Sequence, residues 1–232
     1  MQASDVFYKK MNEYSFILWH DPPMAAKPQN TKRTEAREKR QQQLINATIK
    51  CIARKGMGST TLGDVASEAG LSQGIVNLHF KSKDNLLTET LRFLADEYKT
   101  RFNATLEKSG PGAAPKLRAL TELDLHRSIL DRSKLAVWFA FWSEVKSRPV
   151  YQEICEQVDE YYDNVFLALC SQLIVQGEYK DVTASAISTA LNSMTNGMWL
   201  SYLISPKHFD RRGAMQAIDE YLHSIFPKHF PL

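Results

Sequence analysis

The chain has 232 residues, 44% of them hydrophobic and 24% charged, with a formal net charge of +3. These values exclude a disordered chain and leave enzyme and binding protein equally open. The charge is uneven: between Lys32 and Lys55 eight Lys or Arg face two Glu, a local +6 that leaves −3 for everything else, which suits either a nucleic-acid footprint or a solvated basic helix face.

No apolar run approaches the roughly 18 to 20 residues that span a bilayer. Tyr14 to Trp19 is too short for a signal-peptide core and runs into His20, Asp21, Pro22 and Pro23, without a small-residue cleavage site. The expectation is a soluble, cytoplasmic protein with no membrane partner. Cys51, Cys155 and Cys170 have no CxxC spacing and sit among apolar neighbours, so they read as reduced core thiols.

In chain order, residues 1–34 show no periodicity and contain Pro22, Pro23 and Pro28. They read as an irregular extension whose basic end can reach a DNA groove, and Met24 is an alternative translation start. From Glu35 to Lys55 the pattern is helical, with Leu44, Ile45, Thr48, Ile49 and Ile52 on one side, and Gly56 and Gly58 end it. Leu62, Val65, Ala66 and Ala69 recur at i, i+3, i+4 and i+7, one apolar face of a short helix. Gly70 stops it, Leu71 follows, and Ser72 is a suitable N-cap for a second helix through His79. So short a connection predicts a helix-turn-helix.

A long amphipathic helix then starts at Ser82 and carries Leu87, Leu91, Leu94, Tyr98 and Phe102. Beyond the breakers Gly110, Pro111, Gly112 and Pro115, helical patterns cover 115–130, 133–148, 150–176, 182–204 and 210–226. No strand competes. The fold class is therefore all-α, about nine helices, with a helix-turn-helix head at 35–83 on a larger helical body at 84–232.

Thr61, Val65, Ala66, Ala69, Gly70, Leu71, Ser72, Gly74, His79, Phe80, Lys83, Leu86 and Leu87 resemble the N-terminal signature of TetR-type repressors, the HFxxKxxLL portion being the most specific. Lys134 to Ile154 and Asn196 to Asp210 resemble the body of the BetI-like, choline-responsive branch. The resemblance implies a homodimer that reads a double-stranded DNA operator with its heads and holds a small-molecule effector in its body. One departure is local: the family commonly has an aromatic pair where this chain has Asn77 and Leu78. The phosphate contact assigned to the first aromatic is then unfilled, and Asn77 is placed to meet a base or a phosphate.

DNA binding needs charge and N–H groups for phosphates, and short polar side chains for base edges. Thr60 and Thr61, at a helix N-terminus, are candidates for a phosphate. Arg37, Lys39, Arg40, Lys81 and Lys83 supply charge. Ser72, Gln73, Asn77 and His79 are the polar readers, since Gln or Asn bonds adenine bidentately, and Gly74 permits close approach. Structural alternatives stay open: Ser72 as a cap alone, His79 packed beside Phe80, Lys83 solvated.

In the body, Trp138, Phe141 and Trp142 fall on one helix face by spacing, and Trp199 and Tyr202 pair later. Between them Asp159 and Tyr162 lie one turn apart. Aromatic faces with a carboxylate suit a permanently cationic ammonium, which offers no N–H donor. The alternative is tryptophans in a plain core and carboxylates in water. Two apolar seams, Ile187, Leu191, Met194, Met198 and Met215, Ile218, Leu222, Ile225, read as a dimer interface by the resemblance or as monomer core. No nucleophile with an adjacent base, metal-ligand cluster or phosphate-binding Gly loop stands out, so neither catalytic residues nor a metal or cofactor is assigned. The reading is a ligand-responsive repressor sensing choline or a related quaternary ammonium. Its rivals are a repressor of an efflux or catabolic operon with an apolar or aromatic inducer, and a helical enzyme using the aromatic cavity.

Overall fold

The computed structural model describes residues 31–231. The extension before Thr31, its proposed reach into a groove and the alternative start at Met24 lie outside the described residues. Among the described residues there are nine helices and no strands: α1 (Thr31–Lys55), α2 (Leu62–Ala69), α3 (Gln73–Phe80), α4 (Lys83–Lys108), α5 (Ala113–Asp124), α6 (Arg132–Glu144), α7 (Pro149–Gly177), α8 (Ala184–Ile204) and α9 (Arg211–Ile225). Helix α1 begins four residues before the expected Glu35. The chain divides into two units between Gln41 and Gln42; in the first, the opening turns of α1 carry exposed Arg37, Lys39 and Arg40.

In the second unit the head forms from local signals. Thr61 caps α2 through a reciprocal capping box with Asp64, satisfying two N–H groups that a helix start leaves open. Gly70 adopts φ +66° and its N–H turns back to Ala66 and Ser67, a left-handed cap that costs glycine little. Gln43 Nε2 donates to the Ala69 carbonyl at 2.7 Å, fastening α1 to this turn.

One apolar core joins head to body. Leu44, Ile49 and Ile52 of α1, Val65 of α2, Val76 and Phe80 of α3, and Leu87, Leu91 and Leu94 of α4 share a buried cluster with Val137 and Phe141 of α6 and Tyr151, Ile154 and Cys155 of α7. The head is therefore held by α6 and α7 as well as by the helix that follows it. A second cluster gathers Phe102, Leu117, Leu120, Leu169, Leu173, Leu191, Ile218 and Phe226 deeper in the body. All three cysteines are buried and free. No described helix is long and apolar enough to cross a membrane.

One expectation is corrected. Helix α5 stops at Asp124 rather than near 130. The reason is tertiary: the Asp124 carbonyl accepts Trp199 Nε1–H at 2.8 Å and the Leu125 carbonyl accepts Arg211, bonds that divert the acceptors a longer helix would use. The seams of the last two helices also bury within this chain: Ile187, Leu191, Ile218 and Leu222 are at most 2% exposed, and Met194, Met198, Met215 and Ile225 pack against the same cluster. The four buried residues are monomer core, whereas Met194, Met198, Met215 and Ile225 stay partly exposed.

Candidate functional site: reading helix and aromatic cavity

Helix α3 buries Val76 and Phe80 and turns Gln73, Gly74, Asn77 and Leu78 outward, with Lys81 exposed just past its end. These positions form one stripe along the helix. A methyl at Gly74 would meet only Ser72 Oγ, at 3.7 Å, so the stripe is lowest there and a duplex can come closest. Ser72 stands at the N-cap position but makes no capping bond with its side chain, which leaves its exposed hydroxyl free to face a ligand. Lys81, beyond the helix, has φ +62° and donates its backbone N–H to Asn77.

Four residues expected at DNA have contacts within the chain. Thr60 is 2% exposed and its hydroxyl donates to the Gly56 carbonyl at 2.8 Å. Thr61 spends both its N–H and its hydroxyl on Asp64, and Asp64 also pairs with Lys55. These bonds hold the Asp64 carboxyl well below the usual range, that to Lys55 first and those to Thr61 next. A carboxylate thus occupies the helix N-terminus where a phosphate was expected. His79 is half-buried beside Phe80, ring centroids 6.3 Å apart, off the outward stripe. Lys83 donates to the Gly58 carbonyl at 3.1 Å and is half-buried.

The body holds a cavity, partly open to solvent, lined by Tyr98, Asp124, Trp138, Trp142, Cys155, Val158, Asp159, Tyr162, Asp163, Phe166, Asn192, Thr195, Asn196 and Trp199. Trp138, Trp142, Asp159, Tyr162 and Trp199 are thus brought together, and two expected residues are not. Phe141 is fully buried in the core shared with the head, its ring 4.9 Å from Tyr151 and edge-on. Tyr202 packs 5.5 Å from Phe209. Trp138 and Trp142, an i, i+4 pair, line the cavity and also pack against the core in which Val137 and Phe141 are buried.

Tyr98, on α4, is the hub of the cavity, with Tyr162 edge-on at 4.8 Å and Trp199 edge-on at 6.0 Å. Its hydroxyl donates to Asp124. Asp124 is 5% exposed, and burial pushes its pKa up to about 7 against the opposing bond from Tyr98. Asp159 sits at the wetter side, more than a third exposed, and burial of its carboxyl, then the charge of Asp163, raise it to about 6. Asp163 accepts Asn192 Nδ2 at 3.2 Å and is raised by burial. Cys155 is raised to about 11, chiefly by burial, and stays a thiol. Asp124 and Tyr98 were missed in the sequence. Their only signal was a lone acid in the apolar register of α5 and a tyrosine continuing the stripe of α4.

A helix-turn-helix with an outward polar stripe, rooted in the same core as a helical body with an acidic aromatic cavity, defines a DNA-binding transcriptional regulator with a small-molecule site. The chain belongs to the TetR family and within it to the BetI type. The family model described as "BetI-type transcriptional repressor, C-terminal" matches residues 113–227, and that of "Bacterial regulatory proteins, tetR family" matches residues 44–90. The HTH-type transcriptional regulator BetI of Paraburkholderia phymatum is 31% identical over 189 residues, covering 80% of this chain and 92% of that protein. The regulator of the same name from Yersinia pestis is 28% identical over 188 residues, covering 79% and 90%. Among solved structures, a transcriptional regulator from Pseudomonas aeruginosa PAO1 aligns with a TM-score of 0.73 at 26% identity, covering 83% of this chain and 94% of that one. Another, from Saccharomonospora viridis in complex with choline, aligns with a TM-score of 0.72 at 24% identity, covering 82% and 96%.

Proposed function

We propose that this regulator is a cytoplasmic homodimer that represses from a double-stranded DNA operator, and that its effector is a small cation of the quaternary ammonium class, with choline as the first candidate. The observation that carries the effector is the cavity lining. Three indoles and two phenols stand with Asp124, Asp159 and Asp163, and no Lys, Arg or His is among them. A quaternary ammonium has no N–H to donate, so it is recognised by aromatic faces and net negative charge, which this lining supplies. The same fold holds choline in the regulator from S. viridis.

TetR-family regulators act as dimers, and Leu200 and Ile204, 42% and 70% exposed one turn apart on α8, leave apolar surface for a second copy. A twofold dimer presents two reading helices to half-sites about 34 Å apart. The effector changes DNA affinity only through different free energies of binding to the DNA-bound and free forms.

Calorimetry on the full chain with choline, betaine aldehyde and glycine betaine tests the effector. Choline and betaine aldehyde bind; glycine betaine binds more weakly, because its own carboxylate meets Asp124 and Asp159. Absence of heat from all three, with folded protein, refutes the cation reading and leaves the family assignment untouched. Equal affinity for a neutral isostere of choline would refute it too, by showing that the charge is not read.

A further inference from the structure

We infer that Leu78 reads a thymine in the operator by packing on its C5-methyl group, so that part of the sequence preference of this regulator rests on an apolar contact. The inference rests on α3 being the helix that enters the major groove. On the outward stripe of α3, Gln73, Asn77 and Lys81 are polar and Gly74 has no side chain, which leaves Leu78 as its apolar member. Leu78 is 72% exposed, whereas Val76 and Phe80 on either side of it are 0% and 2% exposed. The inner face of the helix is therefore complete without it, and among the described residues no neighbour covers most of its isobutyl group.

Its place on the helix decides what covers it. Leu78 lies one turn beyond Gly74, the point of closest approach, and one residue from Asn77, whose amide is suited to an adenine edge. Within the major groove the base edges present donors, acceptors and one apolar group, the thymine methyl. A leucine carried to that depth either finds this methyl or sheds its water against polar edges that offer it nothing. A phosphate contact is excluded by its chemistry, since the side chain has no donor.

The test uses the full chain and a duplex enriched by it from a random-sequence library. That duplex is remade with deoxyuridine replacing thymidine at one position at a time, which removes only the methyl group. Binding is followed by fluorescence anisotropy at fixed salt for the wild type, Leu78→Ala and Asn77→Ala. At one thymine per half-site the wild type loses about fourfold in affinity, the worth of one buried methyl, 0.8 kcal/mol at 1.4 kcal/mol per tenfold. Leu78→Ala is insensitive to the same replacement, and Asn77→Ala keeps the wild-type sensitivity while relaxing preference at another base. Circular dichroism checks that each variant is folded, which the exposure of both side chains favours. If every replacement has the same effect on Leu78→Ala as on the wild type, the inference fails while DNA reading by α3 stands. If no duplex is enriched, both fail together.

Discussion

The two cavity carboxylates make effector binding depend on pH in a way that can be worked out. Without ligand, Asp159 ionises near pH 6 and Asp124 near pH 7, both raised chiefly by burial. A bound cation stabilises the ionised form and lowers both values. Affinity is therefore gained as pH rises through the ligand-free pKa and lost as pH falls through it. If the binding-competent form has Asp159 ionised, the apparent affinity scales with that fraction, about one-tenth at pH 5 and nine-tenths at pH 7, or about tenfold overall. Asp124 gives a second rise of up to about tenfold between pH 6 and 8 if it ionises as well. Asp159 is partly open to water, so screening makes its tenfold a ceiling. Isothermal titration of choline from pH 5 to 8 measures the profile. Asp159→Asn should lower the affinity at pH 7 toward the wild-type value at pH 5 and flatten the lower limb, leaving the rise due to Asp124. A choline affinity that is flat from pH 5 to 8 in folded protein would refute the reasoning, because neither carboxylate would then be coupled to the bound charge.

Asp124 also predicts a stability effect of opposite sign. An unfolded aspartate ionises near pH 3.9, whereas the folded one keeps its proton to about 7, so the unfolded state binds fewer protons over pH 4–7 and wild-type stability falls as pH rises through that window. Asp124→Asn removes the titration while retaining an oxygen for Tyr98, and its stability should exceed that of the wild type increasingly from pH 4 to 8, by up to about 4 kcal/mol, read as a growing gap between the two thermal midpoints. Phe141→Ala should cost about 3–5 kcal/mol of stability, seen in urea melts, with choline affinity at low temperature unchanged. Trp142→Ala should do the reverse, losing about 1 kcal/mol of cation–π attraction with a smaller effect on the melt. In operator titrations at varied salt, Lys81→Ala should reduce the salt slope by about one, and Lys83→Ala by less, because the Lys83 ammonium is already bonded to Gly58.

The head was legible in the sequence because its signals are local. A period of 3.6, a glycine where φ must be positive and a threonine that caps fix α2, the turn and α3 without reference to anything distant. What was not legible is which group each polar atom chooses. Thr60 and Thr61 are equivalent on paper, and only the fold turns one hydroxyl to Gly56 and gives the other to Asp64. In the body, i, i+3 and i+4 spacing groups Trp138, Phe141 and Trp142 on one arc, but α6 is buried on two sides and divides them. Asp124 escaped notice because its burial is made by α4 and α8, through Tyr98 and Trp199, and no pattern within α5 carries those partners. The seams on α8 and α9 are apolar in either reading, and their destination depends on what packs against them.

The division of α6 bears on how a filled cavity can reach the DNA. Helix α4 is the direct covalent link, since it begins at the head and brings Tyr98 to the cavity, yet most of its buried residues from Leu86 to Leu94 lie in the head core, well before Tyr98. Helix α6 presents both faces within one turn: Trp138 and Trp142 line the cavity, and Val137 and Phe141, the residues just before them, are fully buried against the head. Helix α7 also reaches both, with Tyr151 and Ile154 in the head core, Asp159 and Tyr162 at the cavity, and Val158 against each. A displacement of α6 by a ligand on the two indoles would carry Phe141 with it, because close packing does not let the ring stay behind. The shift arrives in the core that carries Val76 and Phe80 of the reading helix.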